Sequence, residues 1–171
     1  ILMLFLNCGI RRSELVNLNL SDVYEDRIRV IGKGNKERFV YFGSACRKAI
    51  DAYLPERNQK VLTDNRALFG SRDNNRISVT AVHRLVKKAL LQAGLDSTQY
   101  SAHKLRHTAA TMMLSGGVDV KTVQEVLGHE NLNTTQIYTH IESTELKIAA
   151  EANPLSKLDF SEKIEDNKES N

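Results

Sequence analysis

The sequence has few cysteines and lacks a long apolar run. Two cysteines, Cys8 and Cys46, occur among 171 residues, which is too few for the disulfide framework of a small secreted domain. No apolar stretch approaches the ~20 residues that a membrane-spanning helix needs, and no signal peptide is visible. We therefore expect a cytoplasmic protein without a membrane partner.

A strong net charge is also lacking. The chain carries +3 at pH 7, which alone is weak evidence for binding to nucleic acid. Its last eleven residues hold four acidic residues and two lysines, so residues 1–160 carry +5. We expect residues 161–171 to form a disordered acidic tail and residues 1–160 to form one domain.

Four side chains in the stretch 101–140 are suited to cleaving a phosphodiester without a metal. His103 and Arg106 are three residues apart, so that on one helix they face the same way. His129 follows a glycine, and Tyr138 lies nine residues after it. A phenol can attack phosphorus, an arginine can bind the non-bridging oxygens, and imidazoles can bond to the phosphate or move protons.

Helical signals surround these four residues. Apolar spacing predicts a helix from about His103 to Ser115, which the pair Gly116–Gly117 would end. Asp119 is a candidate N-cap of the next helix. Gly128 is a candidate residue for its end, which would leave His129 in a loop just beyond.

Three further elements are predicted elsewhere. A β-hairpin is expected from Arg27–Ile31 and Glu37–Phe42, because both runs are rich in β-branched or aromatic residues and GKGN separates them. A helix is predicted over Ser44–Leu54, ending before a proline. Ser78 would cap a long amphipathic helix. Its expected buried side consists of Val82, Leu85, Val86, Ala89 and Leu90.

The runs HKLRH and LGHENLNTTQIYTH closely resemble the catalytic signature of the tyrosine recombinases, the phage-integrase family. Two upstream segments also resemble boxes of that family. GIRRSEL places Arg11 at the family's first catalytic arginine, and VIGKGNKER places Lys33 at its catalytic lysine. The resemblance thus implies a catalytic set of six residues: Arg11, Lys33, His103, Arg106, His129 and Tyr138.

The resemblance implies a mainly helical domain with a small antiparallel β-hairpin, the α+β fold of DNA breaking-rejoining enzymes. Tyr138 would attack a scissile phosphate to give a 3′-phosphotyrosine and a free 5′-hydroxyl, and a second DNA end would reverse the step. No metal, ATP or other cofactor is implied. Since ILMLFLNCG has the character of the end of an apolar helix, we expect a catalytic domain cut from a longer protein, without its N-terminal core-binding domain.

The same resemblance assigns roles to the other five residues. Arg11 and Arg106 would hold the non-bridging oxygens, with Glu14 orienting Arg11 through a carboxylate–guanidinium pair. His103 would act as an acid, base or hydrogen-bond partner. His129 would donate a further bond, and Lys33 would protonate the leaving 5′-oxygen.

Basic clusters predict a surface that faces DNA phosphates. The candidates lie beside the first arginine box, in the hairpin, on the helix after Ser78 and next to His103. They are Arg12, Lys36, Arg38, Arg84, Lys87, Lys88 and Lys104.

The implied partner is double-stranded DNA that carries a recombination site. A homotetramer is expected on two such sites, whereas the isolated domain is expected to be monomeric or weakly associated. In the family, the helix after the nucleophile, here from about Ser143 to Ala152, docks on a neighbouring protomer. Packing of this helix on its own core is the alternative.

Three other functions stay open at this point. A zinc site could use His103, His107, His129 and His140, although a lysine stands where a zincin helix needs glutamate. A type IB topoisomerase would share the chemistry without exchanging DNA partners. A DNA-binding module with vestigial catalysis is the third, although all six catalytic positions are filled.

Overall fold

The computed structural model describes residues 1–96, 98–128 and 143–158, with the backbone alone described at Lys33 and Ser143. Helices dominate this part of the chain and one two-stranded antiparallel sheet accompanies them, so the predicted mainly helical fold with a small hairpin is confirmed. The helices are α1 (Arg12–Asn17), α2 (Ser44–Gln59), α3 (Val79–Gln92), α4 (Ala102–Ser115), α5 (Val120–Leu127) and α6 (Ser143–Ala152), and the strands are β1 (Arg27–Ile31) and β2 (Glu37–Tyr41).

The hairpin buries one face of each strand. Ile28 pairs with Val40 and Val30 pairs with Arg38, and the three apolar members of these pairs are fully buried. The turn at Lys33–Asn35 is a single 3₁₀ turn in which a glycine takes a φ of 73°. Alternation of apolar residues with period two therefore sets which side chains face the core.

The core forms around the first residues of the chain. A short π-helical turn, Leu4–Cys8, buries most of its side chains and packs against α4. Gly9 ends this turn with a φ of 57°, and a Cβ there would lie 2.5 Å from Leu127 Cδ2. Glycine is required at this position by both the backbone conformation and the space. The ends of the first turn and of α5 are consequently in direct contact.

Side chains cap the helices where the sequence predicted. Ser78 accepts the N–H of Ala81, and Asp119 accepts the N–H groups of Lys121 and Thr122. Gly128 ends α5 in the left-handed conformation, with a φ of 65°. These predicted ends are confirmed because they depend on residues only a few positions apart.

Two predictions about helices are wrong. α2 does not end before Pro55 but continues to Gln59. The extension is held by Arg57, whose guanidinium donates to the carbonyls of Ala67, Lys60 and Asn65 at 2.9–3.1 Å and so offsets the cost of the proline. Leu85, expected on the buried side of α3, is 37% exposed because it lies at the rim of an open apolar groove.

The helix α6 packs on the core of its own chain. Ala149 and Ala150 are buried, and Asn153, just beyond the helix, donates from its amide to the Leu6 carbonyl at 2.9 Å. The end of α4 and the end of α6 approach each other closely, since a Cβ at Gly116 would lie 2.3 Å from the Ala152 carbonyl oxygen. Among the described residues, no helix has both the length and the apolar character needed to cross a membrane.

Candidate active site

A cavity of about 430 Å³ opens where the starts of α1, α3 and α4 meet. Arg11, His103 and Arg106 all line it, although Arg11 is far from the other two in the sequence. The fold therefore brings together three of the six predicted catalytic residues. Arg12, a predicted DNA contact, lies on the same rim and is exposed.

Arg106 is the most buried side chain of the three, with 7% of its surface exposed. Its guanidinium donates to the carbonyl oxygen of Gly9 and, at 2.7 Å, to that of Leu127. Burial, followed by the positive charges of Arg11 and Arg38, lowers the pKa of Arg106 to about 10 despite the opposing effect of Glu14. Among the described residues, this guanidinium donates to carbonyl oxygens and to no carboxylate.

Arg11 stands at the N-cap of α1 with an extended backbone. Its side chain donates to Glu14 Oε1 at 2.9 Å and to the carbonyl oxygen of Gly128 at 2.6 Å. Its backbone N–H donates to the other oxygen of Glu14 at 2.8 Å. The prediction that Glu14 orients Arg11 is therefore confirmed, and the same carboxylate also caps the helix.

Arg38 also belongs to this cluster, which the sequence did not predict. It was predicted to contact DNA, but its guanidinium lies against Glu14, with Nη1 2.7 Å from Oε1 and Nη2 3.1 Å from Oε2. Nη2 also lies 3.4 Å from the Leu127 carbonyl oxygen. A signal was present in the sequence, because Arg38 is two positions before the buried Val40 and so shares its face.

Glu14 is the carboxylate that these arginines share. It is 3% exposed, and burial raises its pKa, but the bonds from Arg38 and Arg11 outweigh burial and hold the pKa below its ordinary value. Three guanidiniums therefore converge where the described residues supply one carboxylate. The local charge of about +2 favours an anion in the cavity.

Close backbone packing holds the cluster together. Gly128 has a φ of 65°, and a Cβ there would lie 2.8 Å from Cζ of Arg38. Its carbonyl oxygen accepts from Arg11, while the carbonyl oxygen of Gly9 accepts from Arg106. The two glycines let backbone oxygens and guanidiniums share a space that a side chain would fill.

The other predicted catalytic residues are described less fully. His103 is exposed in the first turn of α4, whose N-cap is Ser101. The side chain of Lys33 and the whole of His129 and Tyr138 lie outside the described residues. Gly128 immediately precedes His129 in the sequence, so the end of α5 fixes where that segment starts.

The remaining predicted DNA contacts lie on several elements. Lys36 is exposed beside the hairpin turn, and Lys104 is exposed next to His103. On α3, Arg84 and Lys88 are exposed and Lys87 is partly buried. Val79, in the first turn of α3, lines the cavity, so this helix starts at the candidate site.

No group of three or more histidine, cysteine, aspartate or glutamate side chains in residues 1–96, 98–128 and 143–158 is arranged to hold a metal ion. Two histidines of the zinc alternative, His129 and His140, lie outside those ranges.

Comparison with known proteins identifies the family. Residues 1–145 match the model of the phage integrase family. The chain belongs to the phage integrase family. It is 55% identical over 158 residues to the tyrosine recombinase XerC of Caldanaerobacter subterraneus subsp. tengcongensis, a match that covers 92% of this chain and 45% of that protein. It is 45% identical over 148 residues to XerC of Corynebacterium glutamicum, covering 85% of this chain and 47% of the relative. The chain thus spans about half the length of these curated relatives.

Solved structures of this family have the same fold. The crystal structure of XerA recombinase matches with a TM-score of 0.71 and 37% identity, over 85% of this chain and 54% of that one. A structure of the XerH site-specific recombinase bound to its difH substrate, in a pre-cleavage complex, matches with a TM-score of 0.67 and 29% identity, over 87% of this chain and 44% of that one.

Proposed function

We propose that this chain is the catalytic domain of a site-specific tyrosine recombinase, which cleaves and rejoins DNA strands through a 3′-phosphotyrosine intermediate. The observation that carries the proposal is a cluster of three guanidiniums beside an open cavity: Arg11 and Arg38 bond to the carboxylate of Glu14, and Arg106 next to them bonds to carbonyl oxygens. A cluster with such an excess of positive charge is suited to a phosphodiester. The high identity to XerC recombinases supports the same conclusion.

Arg11 and Arg106 bind the two non-bridging oxygens of the scissile phosphate in this proposal. Both line the cavity, and both donate to backbone carbonyls, Arg11 to that of Gly128 and Arg106 to that of Leu127. Their fork geometry and permanent charge suit the trigonal-bipyramidal phosphorane, on which negative charge grows as the nucleophile adds. Because carbonyls already hold the guanidiniums in place, little reorganisation is needed when the phosphate arrives.

The covalent step uses residues that the family resemblance supplies. Tyr138 attacks phosphorus, the bond from phosphorus to the 5′-oxygen breaks, and Lys33 protonates the leaving oxygen. His103, at the rim of the cavity, bonds to the phosphate or moves the proton of the phenol, and His129 donates a further bond. General acid catalysis of this kind contributes roughly 10²–10⁴-fold. The energy of the broken bond is retained in the phosphotyrosine, so rejoining needs no ATP.

Double-stranded DNA is the proposed partner, since a relative of 29% identity was solved bound to its DNA substrate. We also propose that four copies act together on two sites and that the chain alone is monomeric or weakly associated. The packing of α6 on its own core is compatible with a monomer. A cytoplasmic location is proposed because the substrate is DNA and both cysteines are free thiols.

The decisive experiment uses the full-length natural protein and a suicide substrate nicked near the cleavage site. The wild type should form a covalent protein–DNA adduct on denaturing gels in the presence of EDTA. Tyr138→Phe should form none, yet bind DNA with nearly unchanged affinity, because affinity comes mainly from phosphate contacts. An adduct in the Phe variant would mean that another residue is the nucleophile. DNA binding without any wild-type adduct would support vestigial catalysis, and loss of cleavage in EDTA would support a metal site.

A further inference from the structure

We propose that Arg38 is a positioning residue for strand cleavage and not a contact to DNA. Through Glu14 it holds Arg11 in place, and it ties the β-hairpin to the end of α5. This inference rests on the proposed recombinase activity for its functional consequence. The contacts that carry it belong to the described residues alone.

The first observation is where the donors of Arg38 point. Both terminal nitrogens donate to the buried carboxylate of Glu14, one to each oxygen. Nε is buried and has no hydrogen-bond partner among the described residues, and 19% of the side chain is exposed. A guanidinium whose terminal nitrogens both donate to a buried carboxylate is poorly placed to bind a phosphate on the surface.

The second observation is that Glu14 also accepts hydrogen bonds from Arg11. It accepts both the side chain and the backbone N–H of Arg11, at 2.9 and 2.8 Å. Arg11 therefore depends on the orientation of Glu14, and Glu14 depends on Arg38. Without Arg38, the buried carboxylate of Glu14 would keep only its two bonds from Arg11, and a carboxylate that has lost part of its partners rotates or binds water.

The third observation is the position of Arg38 between three chain segments. It extends from β2, directly after the turn that starts at Lys33. It bonds to Glu14 on α1, and its Cζ packs against Gly128, the residue before His129. These three segments carry three of the proposed catalytic residues. A displacement of about 1 Å in such a group can cost 10²-fold in rate.

The hairpin contains a matched control. Arg29 donates to Asp22 from Nε at 2.9 Å and from Nη2 at 2.7 Å, and Asp22 is buried like Glu14. Asp22 also accepts the backbone N–H of Asn19 at 2.9 Å, as Glu14 accepts that of Arg11. Among the described residues, the Arg29 side chain bonds to Asp22 and Glu37 and not to Arg11 or Gly128, so its loss removes the same kind of bond outside the candidate site.

The kinetic test compares Arg38→Gln, Arg38→Lys and Arg29→Gln in the full-length protein. Single-turnover adduct formation is measured at saturating suicide substrate, and DNA affinity is measured at several salt concentrations. Arg38→Gln should slow cleavage about 10²-fold with DNA affinity changed less than about threefold. Arg38→Lys, which keeps the charge but not the fork, should slow it less. Arg29→Gln should cleave at the wild-type rate.

The opposite pattern would overturn the proposal. If Arg38 contacts DNA, the Arg38→Gln variant should bind DNA more weakly and cleave at an unchanged rate at saturation. The dependence of its affinity on salt concentration should then correspond to about one phosphate contact fewer. Wild-type cleavage in both Arg38 variants would also overturn it, as would an equal loss in Arg29→Gln. If Arg38→Gln does not fold, the comparison of Arg38→Lys with Arg29→Lys decides between these outcomes.

Amide hydrogen exchange tests the positioning without any reaction. In Arg38→Gln, the backbone N–H of Arg11 should exchange about tenfold faster, while that of Asn19 is unchanged. In Arg29→Gln, the N–H of Asn19 should be the faster one. Unchanged exchange at Arg11 would overturn the proposed link. If the wild type forms no adduct, the recombinase proposal fails, and this measurement still decides whether Arg38 holds Arg11.

Discussion

Arg76 and Arg106 both donate to backbone carbonyl oxygens, but among the described residues only Arg76 also donates to a carboxylate. Arg76 donates to Asp64 from Nε at 3.0 Å and from Nη2 at 2.8 Å, and it also donates to the carbonyl oxygens of Val16 and Leu18 at 3.0 and 2.9 Å. Asp64 also pairs with Arg66 at 3.2 Å, but 84% of the Arg66 side chain is exposed, so Arg76 is the partly buried partner of this carboxylate. The Arg76–Asp64 pair joins the chain after α1 to the segment before α3. This cluster is a structural clip.

The cluster around Glu14 contains the same chemical groups in a different ratio. Arg11 and Arg38 bond to its carboxylate, whereas Arg106 beside them bonds to carbonyl oxygens, and burial and like charge lower the pKa of Arg106 to about 10. Charge that a fold buries without compensation lowers stability, so its presence is better explained by a ligand than by folding. Buried positive charge without a balancing carboxylate, more than the number of bonds, distinguishes the candidate active site from the Arg76 cluster.

The largest effect is expected from Arg106→Gln. Strand cleavage should fall by about 10²–10³-fold, because one of the two proposed donors to the non-bridging oxygens is lost. The free energy of unfolding should change little, since relief from an unbalanced buried charge offsets the lost bonds to Gly9 and Leu127. Single-turnover cleavage and urea denaturation of the full-length protein measure the two quantities. A large loss of stability with normal cleavage would reverse the roles assigned to the two clusters.

Arg76→Gln should show the reverse behaviour. The free energy of unfolding should fall by about 2–3 kcal/mol, because a charge-assisted pair and two carbonyl bonds are lost together. Cleavage per folded molecule should stay at the wild-type rate. Urea denaturation gives the stability, and adduct formation at a temperature where the variant is folded gives the rate. Slow cleavage in a fully folded variant would show that this clip also supports the active site.

Inorganic phosphate should distinguish the clusters by binding to the unbalanced one. At ten times its dissociation constant, phosphate should raise the free energy of unfolding of the wild type by about 1.4 kcal/mol. The increase should persist in Arg76→Gln and be smaller or absent in Arg106→Gln. Thermal denaturation over a series of phosphate concentrations, at constant ionic strength with chloride, provides the measurement. An equal increase in both variants would place the anion elsewhere.

The smallest effect concerns acid sensitivity. Bonds from Arg76 and then Arg66 lower the pKa of Asp64 to about 2, below its value in the unfolded chain. The unfolded state therefore takes up this proton first as the pH falls, so the stability is complete above about pH 4 and is lost through pH 2. Asp64→Asn should be less stable at pH 7 and should lose less stability between pH 4 and pH 2. Urea denaturation at these pH values measures the slope, and an unchanged slope would contradict the pairing.

The sequence alone predicted the features that depend on neighbouring residues. The caps at Ser78 and Asp119, the end of α5 at Gly128 and the hairpin all follow from side chains a few positions apart, and each is confirmed. The candidate catalytic set came from a resemblance in short motifs. Three of its members, Arg11, His103 and Arg106, line one cavity.

Tertiary structure decided the features that depend on residues far apart in the chain. The continuation of α2 past its proline rests on carbonyls that Arg57 reaches beyond the helix, and the position of Arg38 rests on Glu14, which lies on another element. The short motif predicted the pair of Arg11 with Glu14, three residues away, but not that Arg38, 24 residues from Glu14, meets the same carboxylate. The sequence therefore determined the elements and the chemical groups of the site. Only the packing of α1, β2, α4 and α5 decided that three guanidiniums would lie together where the described residues supply one carboxylate, because that ratio depends on contacts between distant segments.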